Sequence, residues 1–141
     1  MEVFSENRKS HLTVEVTEGE FVYYPSLNLF VTISDEGFCE ARGHAWVTIG
    51  NCTDFVAASR SCEQTRRGRA VLSGTSPGEF EIAIESCDSV GHFRLQYKLT
   101  HGVYSWGAYH EKTVSGVFDL DSGCFAQTVA GFAELLPADP H

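Results

Sequence analysis

The chain has 141 residues, 43% of them apolar, 21% charged and 12% aromatic, which is the balance of a single soluble domain. Ten Lys and Arg against nineteen Asp and Glu leave a net charge of −9, which argues against nucleic acid or an anionic membrane surface as partner, because both require clustered cations. No run approaches the roughly 18 apolar residues of a spanning helix. The opening residues carry acids where a secretory leader needs an apolar stretch, so a cytoplasmic protein is expected.

No repeat, low-complexity tract or linker divides the sequence, which predicts one domain over 1–141 with tails at 1–9 and 137–141, the latter holding Pro137 and Pro140. The five cysteines, Cys39, Cys52, Cys62, Cys87 and Cys124, are odd in number and form no C-x-x-C pair. Reduced, mostly buried thiols are expected, without a disulfide framework or a zinc site.

Period-2 alternation marks the first strands. His11–Thr17 places Leu12, Val14 and Val16 on one face, and 27–34 places Leu27, Leu29, Val31 and Ile33 inward. Asp35-Glu36-Gly37 supplies a turn, and a return strand over about 38–49 alternates Ala45, Val47 and Ile49 against His44, Trp46 and Thr48, with Gly43 expected at a bulge or bend. The period then becomes helical. Phe55, Val56, Ala58, Ser59 and Cys62 predict a helix over about 53–64, capped by Asn51 or Thr53 and ended at Gly68. Strands follow at 69–73, 79–85 and 92–100, and the opposed faces of the last two carry Glu81 and Glu85 against Arg94 and Lys98, predicting a hairpin with cross-strand ion pairs. A last strand or bent pair covers 104–120. Asp121 or Ser122 then caps a closing helix over about 122–136, whose Phe125, Val129, Phe132, Ala133 and Leu136 form one stripe.

Strands, helix, strands, helix with tight turns predict an α+β fold: a single curved antiparallel sheet of about six or seven strands with both helices packed on one face.

Catalytic signatures are missing. There is no G-x-S-x-G elbow, the glycines of Gly74-Thr75-Ser76-Pro77-Gly78 come without a phosphate-loop lysine, and His44, His92, His101 and His110 show none of the spacings that hold a metal. Glu79, Glu81 and Glu85 read as a solvated charged strand face, and no catalytic residue, metal or cofactor is expected. The candidate binding residues are the rings and imidazoles Trp46, His44, His92, Tyr97, His101, Tyr104, Trp106 and Tyr109, together with a basic cluster of Arg60, Arg66, Arg67 and Arg69. Tyr23 and Tyr24 add further polar-tipped rings.

From about Leu27 to Leu136 the order of features resembles an uncharacterised bacterial family of short standalone proteins. The resemblance is carried by Leu27-x-Leu29-x-Val31, the 38–49 strand with the 53–62 helix after it, the Gly74 hairpin, Gly91-His92-Phe93-x-Leu95, and Phe118-x-Leu120 with its closing helix. It implies an α+β fold and supplies no activity.

Two functional expectations follow. A small acidic domain without catalytic spacing suits a non-catalytic protein-binding module, of which an immunity-type inhibitor of a basic toxin domain is one form: net charge speeds association and aromatic anchors hold the complex. The alternative is a small-molecule site or weakly signalled enzyme with a pocket around His92, Tyr97 or His101 walled by Trp106. Monomer and small strand-edge homo-oligomer both remain open.

Overall fold

The computed structural model describes residues 1–137; the C-terminal tail expected at 137–141 otherwise lies outside the described residues. Eight strands and two helices follow in the order β1 (Glu2–Phe4), β2 (His11–Glu20), β3 (Ser26–Asp35), β4 (Cys39–Thr48), α1 (Ile49–Thr65), β5 (Arg69–Ser73), β6 (Phe80–Ser86), β7 (Phe93–Ser105), β8 (Ala108–Asp119) and α2 (Phe125–Leu135), with a 3-10 turn at Ser122–Cys124. The α+β class holds. The single sheet of six or seven strands does not, because β1–β4 and β5–β8 form two separate four-stranded antiparallel sheets, each in chain order, with α1 between them.

The two sheets enclose one core. Leu12, Val14, Leu29, Val31, Ala45 and Val47 of the first sheet and Leu72, Ile82, Ile84, Leu95 and Leu99 of the second belong to the same buried cluster. Two seams join the sheets through backbone hydrogen bonds. At one, Ser5 bridges Leu120, and the Glu6 N–H donates to the Asp119 carbonyl at 2.9 Å; at the other, the Thr75 N–H donates to the Trp46 carbonyl at 2.8 Å. Residues 1–9, expected as a tail, therefore carry β1, which pairs with β2 and extends toward β8.

Gly43 sits in regular register opposite Val31, so it marks no bulge. A Cβ there would meet the Leu99 side chain at 3.3 Å, and the missing side chain instead lets β7 approach β4 closely. Polar groups also tie the sheets. The Tyr97 hydroxyl on β7 donates to Asp35 Oδ2 at 2.5 Å and lies 3.5 Å from Cys39 Sγ, while Ser10 Oγ donates to Asp35 Oδ1 at 2.8 Å.

α1 begins earlier than its apolar stripe suggests. Thr48 is the N-cap, accepting from the Asn51 N–H at 3.0 Å, in place of Asn51 or Thr53. Its end is set by Arg66, at φ 59°, whose N–H donates to the Cys62 carbonyl; Gly68, the expected stop, comes two residues later. The buried face is Cys52, Phe55, Val56, Ser59 and Cys62. Phe55 meets Phe132 of α2 edge-on at 4.8 Å between ring centroids, and Phe125 of α2 stacks on Phe93 at the same separation. The helices thus seal the core as a pair. All five cysteines are free, and burial pushes the Cys52 thiol up to about 11, so it packs as a small apolar group.

Candidate functional site

β6 stops pairing with β7 at the Phe80–Leu99 pair, yet β7 and β8 stay hydrogen-bonded to each other through Ser105 and Ala108. The outer half of this ladder therefore leaves the sheet as a projecting two-stranded hairpin. The alternation predicts a break here, with one strand ending at Thr100 and another starting at Tyr104, whereas the ladder is continuous. Trp106 and Gly107 form its turn, with φ of 54° and 76°. Positive φ at both central residues is the mark of a type I′ connection, where Asn or Gly is the usual first residue and a bulky side chain is costly.

The hairpin carries apolar surface on residues with no core to face. Relative exposures are 41% for Val103, 79% for Tyr104, 102% for Trp106 and 52% for Tyr109. Tyr104 and Tyr109 are directly paired across the strands, with ring centroids 5.1 Å apart. The Tyr109 ring lies over Gly102, where any Cβ would collide with it, so glycine supplies the room the ring occupies. A hydrogen bond to the Glu111 carboxylate raises the Tyr109 phenol above its ordinary range. Together with Gly78, Glu79 and Thr100, these groups line an open groove of about 440 Å³ between the hairpin and the β5–β6 loop.

The other candidates are spread over the molecule. His101 and His110 are exposed on the hairpin, on the face opposite the tyrosine pair. Trp46 is half-buried on β4, and exposed His44, two residues before it, places Nδ1 2.8 Å from Asn28 Oδ1 and tilts against Phe30. Tyr97 is 3% exposed and faces the opposite sheet, so it is a core residue rather than a surface one. Its phenol is pushed up by burial and then by its hydrogen bond to Asp35.

His92 is exposed in the turn before β7, with Nδ1 2.6 Å from Asp88 Oδ2. That hydrogen bond raises the imidazole above its ordinary 6.5 and helps hold the Asp88 carboxyl down at about 2. The other Asp88 oxygen accepts from the Val90, Gly91 and His92 N–H groups, so the pair organises a turn.

The arginine cluster also separates. Arg60 and Arg67 are exposed, Arg66 lies over the Phe125 ring, and Arg69 pairs with Glu85 at 3.2 Å and Glu81 at 3.9 Å. The register does set Glu81 opposite Lys98 and Glu85 opposite Arg94, as expected, but the ion pairs formed run to Arg69 on β5 instead.

Residues 3–140 match the immunity protein WapI-like family. The chain belongs to that family. The match spans both sheets and both helices, and it accords with the resemblance to short bacterial α+β proteins read from the Leu27–Leu136 features. No curated protein and no solved structure matches the chain. No helix among the described residues is long and apolar enough to cross a membrane.

Sequence reasoning picked out Tyr104, Trp106 and Tyr109 but not their setting. It passed over Glu111, a lone acid in a polar stretch, and set Glu79 aside as part of a charged strand face. The signal for Glu111 was the register, which places it opposite Gly102 and beside the tyrosine pair. Glu79 is set beside the hairpin by the Thr100 N–H, which donates to its carbonyl at 2.8 Å. Phe21, Val22, Tyr23 and Tyr24 form a second exposed apolar tip, in the β2–β3 connection.

Proposed function

We propose that this protein is a non-catalytic, immunity-type inhibitor that neutralises a toxin by binding it, with the β7–β8 hairpin as the principal contact. The observation that carries the reading is Trp106: a fully exposed indole held at positive φ on the tip of a hairpin that projects from the core. An isolated two-stranded ribbon is marginal in water. A bulky residue in the left-handed region costs about 1 kcal/mol or more, and such local strain is commonly kept where a partner uses it. Trp and Tyr are the residue types that dominate binding hot spots.

Family membership supports the inhibitor role, since immunity proteins act on a partner rather than on a small substrate. The net charge of −9 favours a basic toxin domain, because complementary potentials steer encounter and raise the association rate. A monomeric protein in the cytoplasm, where it meets an incoming toxin, fits this role.

The test is co-expression with toxin domains encoded in the same genome. Growth is restored by the wild-type chain for its cognate toxin. It is lost when Tyr104 and Trp106 are both replaced by Ser in a variant that keeps its circular dichroism spectrum. Protection undiminished by that double replacement sinks the hairpin as the contact, and failure to protect against any such toxin sinks the inhibitor role.

A further inference from the structure

We infer that the groove between the β7–β8 hairpin and the β5–β6 loop is a guanidinium site, which receives an arginine side chain of the partner between the Tyr104 and Tyr109 rings and the carboxylates of Glu79 and Glu111. This rests on the inhibitor reading for the identity of the partner, but the chemistry of the groove stands by itself.

Three features specify an arginine. The tyrosine pair offers π-faces, and a planar guanidinium stacks on such faces while keeping its edge free to donate. Glu79 and Glu111 lie on the same groove, and neither takes part in an ion pair among the described residues. Carboxylates beside an aromatic pair accept the two parallel N–H donors of a guanidinium, which an ammonium does not present. Lys98 also lines the groove, its Nζ 3.8 Å from the position of a Cβ on Gly78, and it forms no ion pair with Glu79, Glu81 or Glu111 among the described residues. Two carboxylates against one ammonium leave the groove a net negative charge for an incoming cation. Gly102 completes the site: its bare backbone leaves room for the phenol end of Tyr109, and across the ladder it lies opposite Glu111 on β8.

A second acidic groove gives the comparison. Glu6, Asp35, Glu36 and Asp119 line about 340 Å³ near the Ser5–Leu120 seam, but Lys9 already approaches Glu36 at 3.7 Å, and no pair of exposed tyrosines flanks it. Charge alone would favour that place; charge with aromatic faces favours the hairpin groove.

The test uses the full-length, isotope-labelled chain and the peptide acetyl-Gly-Arg-Arg-Gly-amide, followed by amide NMR shifts. The same peptide with citrulline in place of arginine keeps the shape and removes the charge. The arginine peptide is expected to shift Gly78, Gly102, Tyr104, Tyr109 and Glu111. Its affinity is expected to exceed that of the citrulline peptide by about 10-fold and to fall by about as much in the E79Q/E111Q double variant, in line with loss of a charge-assisted pair.

Equal binding of both peptides overturns the site, as does a response confined to Glu6, Glu36 and Asp119. Unchanged affinity in the double variant does the same. Because the probe is a peptide, the result is independent of toxin protection: a groove that takes the arginine peptide in a chain that protects against nothing retains the site and removes the inhibitor reading, and the reverse outcome removes the site alone.

Discussion

Tyr97 on β7 donates its hydroxyl to Asp35 at the end of β3 across 2.5 Å, a hydrogen bond that ties one sheet to the other. The same carboxylate accepts from Ser10, so three segments far apart in sequence converge on it. Gly116, directly opposite Tyr97 on β8, has no side chain to obstruct the ring. Replacing Tyr97 by Phe keeps the packing and removes the donor. Urea denaturation is expected to show a loss of about 1–3 kcal/mol, the cost of a broken hydrogen bond to a charged group. A change of only a few tenths would mean that water replaces the phenol.

Gly43 tests the same junction from the other side. A valine there pushes into Leu99, whose side chain lies 3.3 Å from the site of a Cβ. Overpacking of this kind costs about 1–3 kcal/mol, and thermal melts should show it. A neutral substitution would mean that the sheets separate there without penalty.

Trp106 sets stability against binding. Asn tolerates the left-handed region and suits the first central position of a type I′ turn. Trp106→Asn is therefore expected to raise the unfolding free energy by about 1 kcal/mol while weakening the complex with the neutralised toxin by about 30-fold, the loss of one hot-spot side chain. Calorimetry of unfolding and of binding reads both signs in one variant. A gain in both, or a loss in both, contradicts the role assigned to the indole.

The His92–Asp88 pair makes a pH prediction whose sign follows from the direction of each shift. The raised imidazole contributes stability that is complete below its ordinary 6.5 and is lost as pH rises through its higher folded value. The depressed carboxyl contributes stability present above its ordinary 3.8 and lost as pH falls toward about 2. The turn is therefore best held between roughly pH 4 and 6. An NMR titration should place His92 above 6.5, and Asp88→Asn should bring it down. A titration unmoved by that change would remove the pair.

Where alternation or a helical stripe governs burial, the sequence was legible. Leu27, Leu29, Val31 and Ile33 point inward on β3, and Phe125, Val129 and Phe132 form the buried face of α2, because period and burial are the same fact in those elements. Partnership between strands was not legible. Alternation tells which way a side chain points but not which strand lies beside it, so the break between the sheets at α1 went unseen. β1 was missed because three residues offer too short a pattern.

The hairpin was half legible. Its aromatics stand out by type, but Ser105-Trp106-Gly107-Ala108 lacks the Asn-Gly or Asp-Gly that announces a tight turn. Glu111 gained meaning only once β8 was laid beside β7 in register.

The most direct test of the account is amide hydrogen exchange across the whole chain, free and bound to the toxin domain that it neutralises. The β7–β8 hairpin beyond Leu99 and Val114 should exchange quickly in the free protein, since it has no core beneath it. In the complex, protection should rise most over 101–112. Protection that rises elsewhere, with the hairpin still exchanging as in the free chain, would contradict the assignment of this hairpin as the partner-binding surface.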